Sequence, residues 1–383
     1  MACSSPSDAV DSPVAAVDKT VGTEPAAPNG STPPPDAGAS PRKEAPMHFL
    51  GRFDSRDPAG PRFAWPGSEV RTRFSGTGAT LRIRETGGKN TNDQLEVRID
   101  GGEPFVIKTK NDVEKYELAK GLPDAEHDVV IIKRTEHILG NIQLLGIDSA
   151  EGRPLVPTPE PYTRWIEFVG DSITCGFGVL GANKHCSFTA DTEREPDAYG
   201  ALTATALDAG HISVAWSGIG VYRNSDGSTQ GGMRERYGLS LPGDPASTWD
   251  FSIKPDVVVV NLGTNDYTKG DPGQPYQDAM IELTTTIRGK YPEAHIIVSV
   301  SSMMEDGGGF LSPNFTKSRS EQRTALQAVV DARKAAGDAR ISMFEFDAQL
   351  ASDGYGCGAH PNVTTQRKGA EKLAAYIRPL TGW

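Results

Sequence analysis

From about residue 160 to the end of the chain, short apolar runs alternate with stretches of helical periodicity. The runs are mostly apolar and lie at 166–169, 212–215, 257–260, 296–298 and 341–344. Helical periodicity lies between and after them, near 198–208, 276–290, 319–336 and 365–378. Strands that are apolar on both faces and separated by helices are typical of a parallel sheet covered on both sides. We therefore predict an α/β/α domain over 160–383, with any functional site outside the carboxyl ends of its strands.

Residues 46–155 show a different pattern, in which short alternating strands are separated by turns. The alternating segments lie at 68–74, 80–84, 95–99 and 127–133, and turn-forming residues at 75–78, 86–88 and 100–102. Many short strands without helical periodicity predict an all-β sandwich, for which we expect a jelly-roll topology. A proline-rich connector at 154–159 separates this region from the α/β domain.

Residues 1–45 are rich in Pro, Ala and Ser and contain almost no large apolar residue. Such a segment cannot bury enough surface to offset its chain entropy, so we predict a disordered tether. Cys3 is followed by small polar residues, as in a bacterial lipoprotein whose leader has been removed. A lipid anchor at Cys3 and a chance cysteine in a disordered tail both remain open. We expect a secreted or cell-surface lipoprotein whose leader is absent from this sequence.

The formal net charge of −11 disfavours nucleic acid and anionic lipid as partners, whereas neutral sugars are compatible with it. No apolar run approaches the roughly 20 residues needed to span a bilayer. With Cys3 set aside, the remaining cysteines, Cys175, Cys186 and Cys357, allow one disulfide and one free thiol, and the sequence leaves the pairing open. Their spacing does not match a zinc site, and we predict neither a metal nor a cofactor.

Three of the predicted strands run into polar clusters at their carboxyl ends. Gly170-Asp171-Ser172 follows the first, Gly218 lies just after the second, and Asn265 lies just after the third. A serine at a strand-to-helix turn projects its hydroxyl above the sheet, although serine also serves as a helix N-cap. Acyl transfer needs a nucleophile, donors for the oxyanion and a base, and His360 lies on a loop before the last helix. The pattern therefore predicts a serine ester hydrolase.

These residues resemble the SGNH (GDSL-like) hydrolase superfamily, and more closely carbohydrate esterase family 2, which joins an N-terminal jelly roll to an SGNH domain. The blocks that carry the closer resemblance lie at 51–54, 63–68, 133–136, 170–178 and 356–361. The resemblance implies Ser172 as nucleophile and His360 as general base. It implies the Ser172 and Gly218 amides and the Asn265 side chain as oxyanion donors.

The chain departs from both families just before the histidine. The superfamily usually has an Asp three residues earlier, where Cys357 stands here, and family 2 often has Asp-Trp where Gly358-Ala359 stand. We therefore predict a Ser–His dyad in which a backbone carbonyl holds the imidazole Nδ1–H, with Asp353 as the carboxylate alternative. The missing Trp also removes a surface on which a sugar could stack.

The resemblance implies a carbohydrate O-acetyl esterase that acts on acetylated oligosaccharides or polysaccharides, with a preference for 6-O-acetyl groups. We also expect a monomer. Tyr222, Arg223 and Asn224, which follow the Gly218 cluster, are predicted to face the substrate. Two other functions remain open. One is an SGNH lipase or a deacylase of another acylated surface polymer, and the other is a carbohydrate-binding protein without catalytic activity.

Overall fold

The computed structural model describes residues 43–86, 93–307 and 317–383. Cys3 and almost all of the predicted tether lie outside these ranges. The described residues belong to a single compact unit, Arg42–Trp383. None of the helices in these ranges has the length and apolar character needed to cross a bilayer.

The first part of the described chain is built from short strands, as its alternating pattern predicts. They are β1 (Glu44–Ala45), β2 (Met47–Leu50), β3 (Arg62–Phe63), β4 (Glu69–Gly76), β5 (Ala79–Thr86), β6 (Gln94–Ile99), β7 (Phe105–Lys108), β8 (Lys115–Ala119), β9 (Ala125–Lys133), β10 (Asn141–Ser149) and β11 (Thr158–Pro159). Antiparallel pairing gives a five-stranded sheet of order β2-β4-β9-β6-β7 and a four-stranded sheet of order β3-β10-β5-β8. The inward residues of the two sheets form one apolar core, which includes Phe74, Leu81, Val97 and Ile131.

The second part alternates strands with helices. Its elements are β12 (Trp165–Gly170), α1 (Ser172–Cys175), α2 (Tyr199–Ala206), β13 (Gly210–Ala215), α3 (Met233–Arg236), β14 (Val257–Asn261), α4 (Gln274–Lys290), β15 (His295–Val300), α5 (Ser318–Ala335), β16 (Ile341–Glu345) and α6 (Val363–Thr381). The strands form a parallel sheet of order β13-β12-β14-β15-β16, which confirms the predicted parallel architecture. Short 3-10 turns lie at His137–Leu139, Ala190–Thr192, Glu195–Asp197, Ala351–Asp353 and Cys357–Ala359.

Both faces of the parallel sheet are covered, because successive strand residues point to opposite sides. Val258 and Val260 belong to one apolar cluster, which also contains residues of α4 and α5. Val257 and Val259 belong to a second cluster with residues of α2 and α6. This burial on both faces explains why the strands read as mostly apolar runs in the sequence.

A buried ion pair joins the two sheet regions. Arg52, in the loop after β2, donates from Nη2 to Glu167 Oε2 at 3.0 Å, and both side chains are fully buried. Glu167 lies on β12 of the parallel sheet and also accepts hydrogen bonds from Tyr237 at 2.7 Å and Tyr291 at 3.2 Å. The sandwich is thereby fixed to the strand that leads into the Gly-Asp-Ser turn.

Candidate active site

Ser172 stands at the sharp turn between β12 and α1. Asp171 is the N-cap of this short helix, and its Oδ1 accepts a hydrogen bond from the Ile173 N–H at 3.0 Å. The turn is so tight that a Cβ atom on Gly170 would lie 2.0 Å from Thr174 Oγ1. The Gly-Asp-Ser sequence therefore fixes the turn, and Ser172 opens the helix as its first residue rather than capping it.

His360 meets Ser172 from the opposite end of the chain. Its Nε2 lies 2.9 Å from Ser172 Oγ, although 188 positions separate the two residues. Its Nδ1 lies 3.2 Å from the carbonyl oxygens of Cys357 and Gly358. Carbonyls only accept hydrogen bonds, so the proton belongs on Nδ1 and Nε2 is free to accept the Ser172 hydroxyl proton. The structure thus brings together the two residues to which the sequence assigns proton transfer.

The side chain that the sequence offers as an alternative partner of the imidazole is engaged elsewhere. Both carboxylate oxygens of Asp353 pair with Lys368 Nζ, at 2.7 and 2.8 Å. The Phe177 ring packs against the imidazole, with 4.4 Å between the ring centroids. The described contacts therefore favour backbone carbonyls over Asp353 as the group that orients His360.

Burial of His360 lowers its pKa to about 4, and the two backbone carbonyls only partly oppose this effect. A general base must be unprotonated to accept a proton. We therefore expect kcat/KM for an acetyl ester to be constant from about pH 5 upward to neutrality and to fall as the pH drops through about 4. A pH–rate profile with p-nitrophenyl acetate measures this midpoint, with circular dichroism at each pH as the control for unfolding. A midpoint near the ordinary histidine value of 6.5 in folded enzyme would contradict the expectation.

The predicted oxyanion donors lie at the carboxyl ends of three adjacent strands. In the sheet register, Gly170 of β12 is paired with Ala215 of β13 and with Asn261 of β14. Gly218, after β13, has φ +81, a left-handed conformation that glycine adopts readily. Within the described part of the chain, the N–H groups of Ser172 and Gly218 have no hydrogen-bond acceptor. Both amides are therefore available as hydrogen-bond donors, and their role toward an oxyanion stays a prediction.

The Asn265 amide is buried beside the same turn and already has two acceptors. Its Nδ2 donates to the Ile219 carbonyl at 3.0 Å and to Asp171 Oδ2 at 3.3 Å. Since an amide nitrogen carries only two hydrogens, contact with an oxyanion requires one of these bonds to be exchanged. The role of Asn265 as an oxyanion donor stays a prediction.

Two carboxyl groups, those of Asp171 and Asp266, brace the loops around the turn. Asp266 accepts hydrogen bonds from the backbone N–H groups of Val221 at 3.1 Å, Tyr222 at 2.7 Å and Arg223 at 2.8 Å. Burial raises the pKa of Asp266 and raises the pKa of Asp171 to about 7. Neither carboxyl group has a described contact with Ser172 Oγ or the imidazole.

The three residues predicted to face the substrate are largely occupied by contacts with their own loop, the neighbouring loop after β14 and the apolar core. The Arg223 guanidinium donates to the carbonyls of Asp266 and Gly270. The Asn224 side chain accepts from the Gly220 N–H and donates to the loop at two further points. Tyr222 is partly buried against the apolar core. These contacts favour support of the loop for Arg223 and Asn224, and substrate contact by the three residues stays a prediction.

A disulfide joins Cys186 to Cys357, and Cys175 is a buried free thiol. This settles the pairing that the sequence leaves open. The Gly358 N–H also donates to the Cys186 carbonyl at 3.1 Å, and the Cys357 N–H to the Gly178 carbonyl at 2.9 Å. The loop that carries His360 is thereby fixed to the segment that follows α1.

Loss of this disulfide is expected to reduce both stability and activity. The double variant Cys186→Ser/Cys357→Ser should lose about 2–4 kcal/mol of unfolding free energy, because the bond constrains the unfolded chain. Its kcat should fall by about tenfold, because both carbonyls that hold Nδ1 belong to the released loop. Urea unfolding and acetyl-ester kinetics measure the two effects. As a control, treatment with dithiothreitol should not change the kcat or the stability of the double variant. A kcat equal to that of the wild type in the double variant would contradict the expected link between the disulfide and the His360 loop.

The chain is similar to known proteins over both of its regions. The family model described as carbohydrate esterase 2 N-terminal matches residues 49–159, and that of the GDSL-like lipase/acylhydrolase family matches residues 168–368. Cellulase/esterase CelE of Acetivibrio thermocellus is 38% identical over 339 residues, which are 88% of this chain and 39% of that relative. The chain therefore spans well under half the length of CelE. An acetylxylan esterase/glucomannan deacetylase of Cellvibrio japonicus is 27% identical over 88% of this chain and 89% of its own.

Solved structures show the same likeness. A family two carbohydrate esterase from Clostridium thermocellum, in complex with cellohexaose, superposes with a TM-score of 0.79. The two sequences are 36% identical, and the match covers 88% of this chain and 99% of that one. The likeness extends over both the sheet-rich region and the parallel-sheet region.

Proposed function

The chain belongs to carbohydrate esterase family 2, and we propose that it is a carbohydrate O-acetyl esterase that forms an acetyl-enzyme on Ser172. The observation that carries the proposal is the 2.9 Å contact between Ser172 Oγ and His360 Nε2, with Nδ1 held by two carbonyls. This contact places a nucleophile and a neutral base in hydrogen-bond reach at the carboxyl edge of a parallel sheet.

In the first half-reaction, Ser172 Oγ attacks the ester carbonyl carbon while His360 Nε2 takes the hydroxyl proton. The negative charge on the carbonyl oxygen is stabilised by the Ser172 and Gly218 amides and, after one hydrogen bond is exchanged, by Asn265. Each such donor typically contributes about 3 kcal/mol to the transition state. The imidazolium is stabilised by the two carbonyl dipoles, which fix the ring orientation but stabilise the charge less than a carboxylate does. It then protonates the departing sugar oxygen, and Ser172 keeps the acetyl group.

In the second half-reaction, His360 removes a proton from water, and the resulting nucleophile attacks the acetyl-enzyme. A second tetrahedral intermediate forms at the same donors. Its collapse returns the proton to Ser172 Oγ and releases acetate. No step requires a group other than these side chains, the amides and water.

We propose acetylated hemicellulose or its fragments as the substrate, with primary 6-O-acetyl groups preferred. Two relatives from Cellvibrio japonicus are each named acetylxylan esterase/glucomannan deacetylase, and cellohexaose is bound in a related structure. The net charge of −11 favours neutral glycans over polyanionic ones.

Acetate release from acetylated glucomannan and acetylated xylan tests this function, with the chemically deacetylated glycans as blanks. A series of p-nitrophenyl esters separates it from a lipase, because an acetyl esterase should lose most of its activity between acetate and octanoate. Labelling of Ser172 by a fluorophosphonate separates it from a binding protein. Equal or greater activity on the octanoate ester, or glycan binding without acetate release, would overturn the proposal.

Three finer features of the protein complete the proposed function. We propose a jelly roll for the sandwich, because successive strands pass repeatedly between its two sheets: β4 and β5 lie in different sheets, as do β7 and β8, β8 and β9, and β9 and β10. We also propose a monomer, and a cell-surface location with a lipid anchor at Cys3. The latter rests on the Pro-, Ala- and Ser-rich sequence that follows this cysteine.

A further inference from the structure

A carboxylate from the sandwich region reaches the loop that carries the oxyanion amide. Glu136 follows β9, and its side chain is fully buried. Its Oε2 accepts a hydrogen bond from the Ser217 N–H at 2.8 Å, and its Oε1 accepts one from the Ser217 hydroxyl. Ser217 is the residue immediately before Gly218, so one side chain holds both polar groups next to the predicted donor.

Glu136 is paired with a second buried carboxyl group, that of Glu193. The Glu136 N–H donates to Glu193 Oε2 at 3.2 Å, and a carboxylate oxygen of each residue lies within 4.8 Å of the other. Two carboxylates this close in a buried site cannot both carry charge, so the pair holds one proton. Burial raises the pKa of both groups and places that of Glu193 well above its ordinary value. Glu136, which accepts two hydrogens from Ser217, is therefore the charged member.

The cationic groups around the Glu136–Glu193 pair do not take over the role of the shared proton, because they bind other acceptors. Lys133 Nζ makes a buried ion pair with Asp93 and donates to the backbone carbonyl of Glu136, not to its carboxylate. The Arg134 guanidinium donates to the backbone carbonyls of Glu193 and Asp191. Burial raises the pKa of the nearby Cys175 thiol well above its ordinary value, which keeps it protonated.

We propose that Glu136 is a positioning residue for ester hydrolysis, which holds Ser217 so that the Gly218 N–H points at the oxyanion, and that Glu193 carries the proton of the pair. The inference rests on the proposed esterase function and deepens it. It means that the sandwich region contributes to ester hydrolysis, because Glu136, which holds the loop at Ser217 and Gly218, lies outside the parallel-sheet region. Gly218 itself has a left-handed φ of +81, so its amide direction depends on the conformation of its neighbours.

The pair also contributes to a set of potential metal ligands. One atom each from Glu136, Cys175 and Glu193 lies within 4.8 Å of the others, and all three residues are buried. A cation there would take the place of the shared proton and compete with Ser217 for the Glu136 oxygens. Metal analysis of the purified enzyme distinguishes the two arrangements, and a stoichiometric metal would overturn the shared-proton pair.

The proposal predicts unequal effects of two matched substitutions. Glu136→Gln should lower kcat by about 10–100-fold while KM changes by less than about twofold, because oxyanion donors act chiefly in the transition state. Glu193→Gln should lower kcat by less than about threefold, since a Gln amide donates a hydrogen as the protonated carboxyl group does. A residue that only supports the fold would not separate kcat from KM in this way.

Two further variants keep the test decisive. Glu85→Gln is the matched control, because Glu85 is a buried carboxyl group of the sandwich that contacts Thr109 and not the oxyanion loop, and its kcat should equal that of the wild type. If Glu136→Gln does not fold, Ser217→Ala removes the hydroxyl contact alone and should lower kcat by about 3–10-fold. Wild-type kcat in folded Glu136→Gln, or equal losses in both Gln variants, would overturn the inference.

Ser172→Ala is measured in the same assay to separate this inference from the proposed function. If Ser172→Ala stays active, the esterase proposal fails. If Ser172→Ala is inactive while Glu136→Gln has wild-type activity, only the inference fails.

Discussion

Replacement of Ser172 by alanine is expected to lower kcat for acetyl-ester hydrolysis by about 10⁴–10⁶-fold, because the acetyl-enzyme can no longer form. His360→Ala should cost nearly as much, since Ser172 Oγ has its 2.9 Å contact with that imidazole. The two residues act as a unit, so the double variant should lose no more than either single variant. Steady-state kinetics with p-nitrophenyl acetate and labelling by a fluorophosphonate measure these effects.

The matched control for this experiment is Ser252→Ala, which removes an exposed hydroxyl from a loop before β14. Its kcat should equal that of the wild type. Circular dichroism melting should show that Ser172→Ala remains folded, because a buried hydroxyl is removed without leaving a buried charge. Substantial turnover by a folded Ser172→Ala enzyme, after exclusion of contaminating esterases, would mean that the nucleophile is another group.

Replacement of Arg52 by methionine is expected to lower the unfolding free energy by about 3–5 kcal/mol. The change leaves Glu167 buried without its cationic partner, and loss of one member of a buried pair carries a cost of this size. It also removes hydrogen bonds to the carbonyls of Tyr237 and Leu239 and the packing of the guanidinium over the Tyr237 ring. Urea unfolding followed by fluorescence measures the change.

Arg84→Met is the control, because Arg84 forms an ion pair with Glu114 in which the two side chains remain 47% and 48% exposed. Exposed pairs contribute about 0–1 kcal/mol, so this variant should be close to the wild type in stability. Adding Glu167→Gln to Arg52→Met should recover part of the loss, because the unpaired charge is then removed. A loss below about 1 kcal/mol for Arg52→Met would show that the ion pair does not hold the two regions together.

The parallel sheet and the edge that carries the site follow from local sequence. Strands buried on both faces carry apolar residues on both faces, so the run at 166–169, interrupted only by Glu167, and the all-valine run at 257–260 identify β12 and β14 directly. The carboxyl ends of parallel strands share one edge, and this places Ser172, Gly218 and Asn265 near one another. The contact of His360 with Ser172 was expected from the position of its loop before the last helix and from the family resemblance.

Contacts between distant side chains could not be predicted in the same way. No local pattern specifies whether Cys357 pairs with Cys175 or with Cys186, because the answer depends on how two loops approach in space. The Glu136–Ser217 contact lies between two regions whose packing the sequence does not reveal. Sequence position alone predicts that Arg223 and Asn224 face the substrate, whereas their hydrogen bonds depend on the folded path of the loop. The 133–136 block was the one signal for the Glu136 contact, and it came from the family resemblance.

The group that orients His360 belongs to the main chain, and this changes how the site can vary during evolution. A carboxylate partner disappears with a single codon change, whereas the carbonyls of Cys357 and Gly358 persist whatever side chains those positions carry. What must be inherited is the path of the backbone, in which Gly358 and Ala359 adopt left-handed φ values of 61° and 56° in succession. Selection on this part of the site therefore acts on residues that permit this backbone path. Alignments that compare side-chain chemistry alone would overlook this selection.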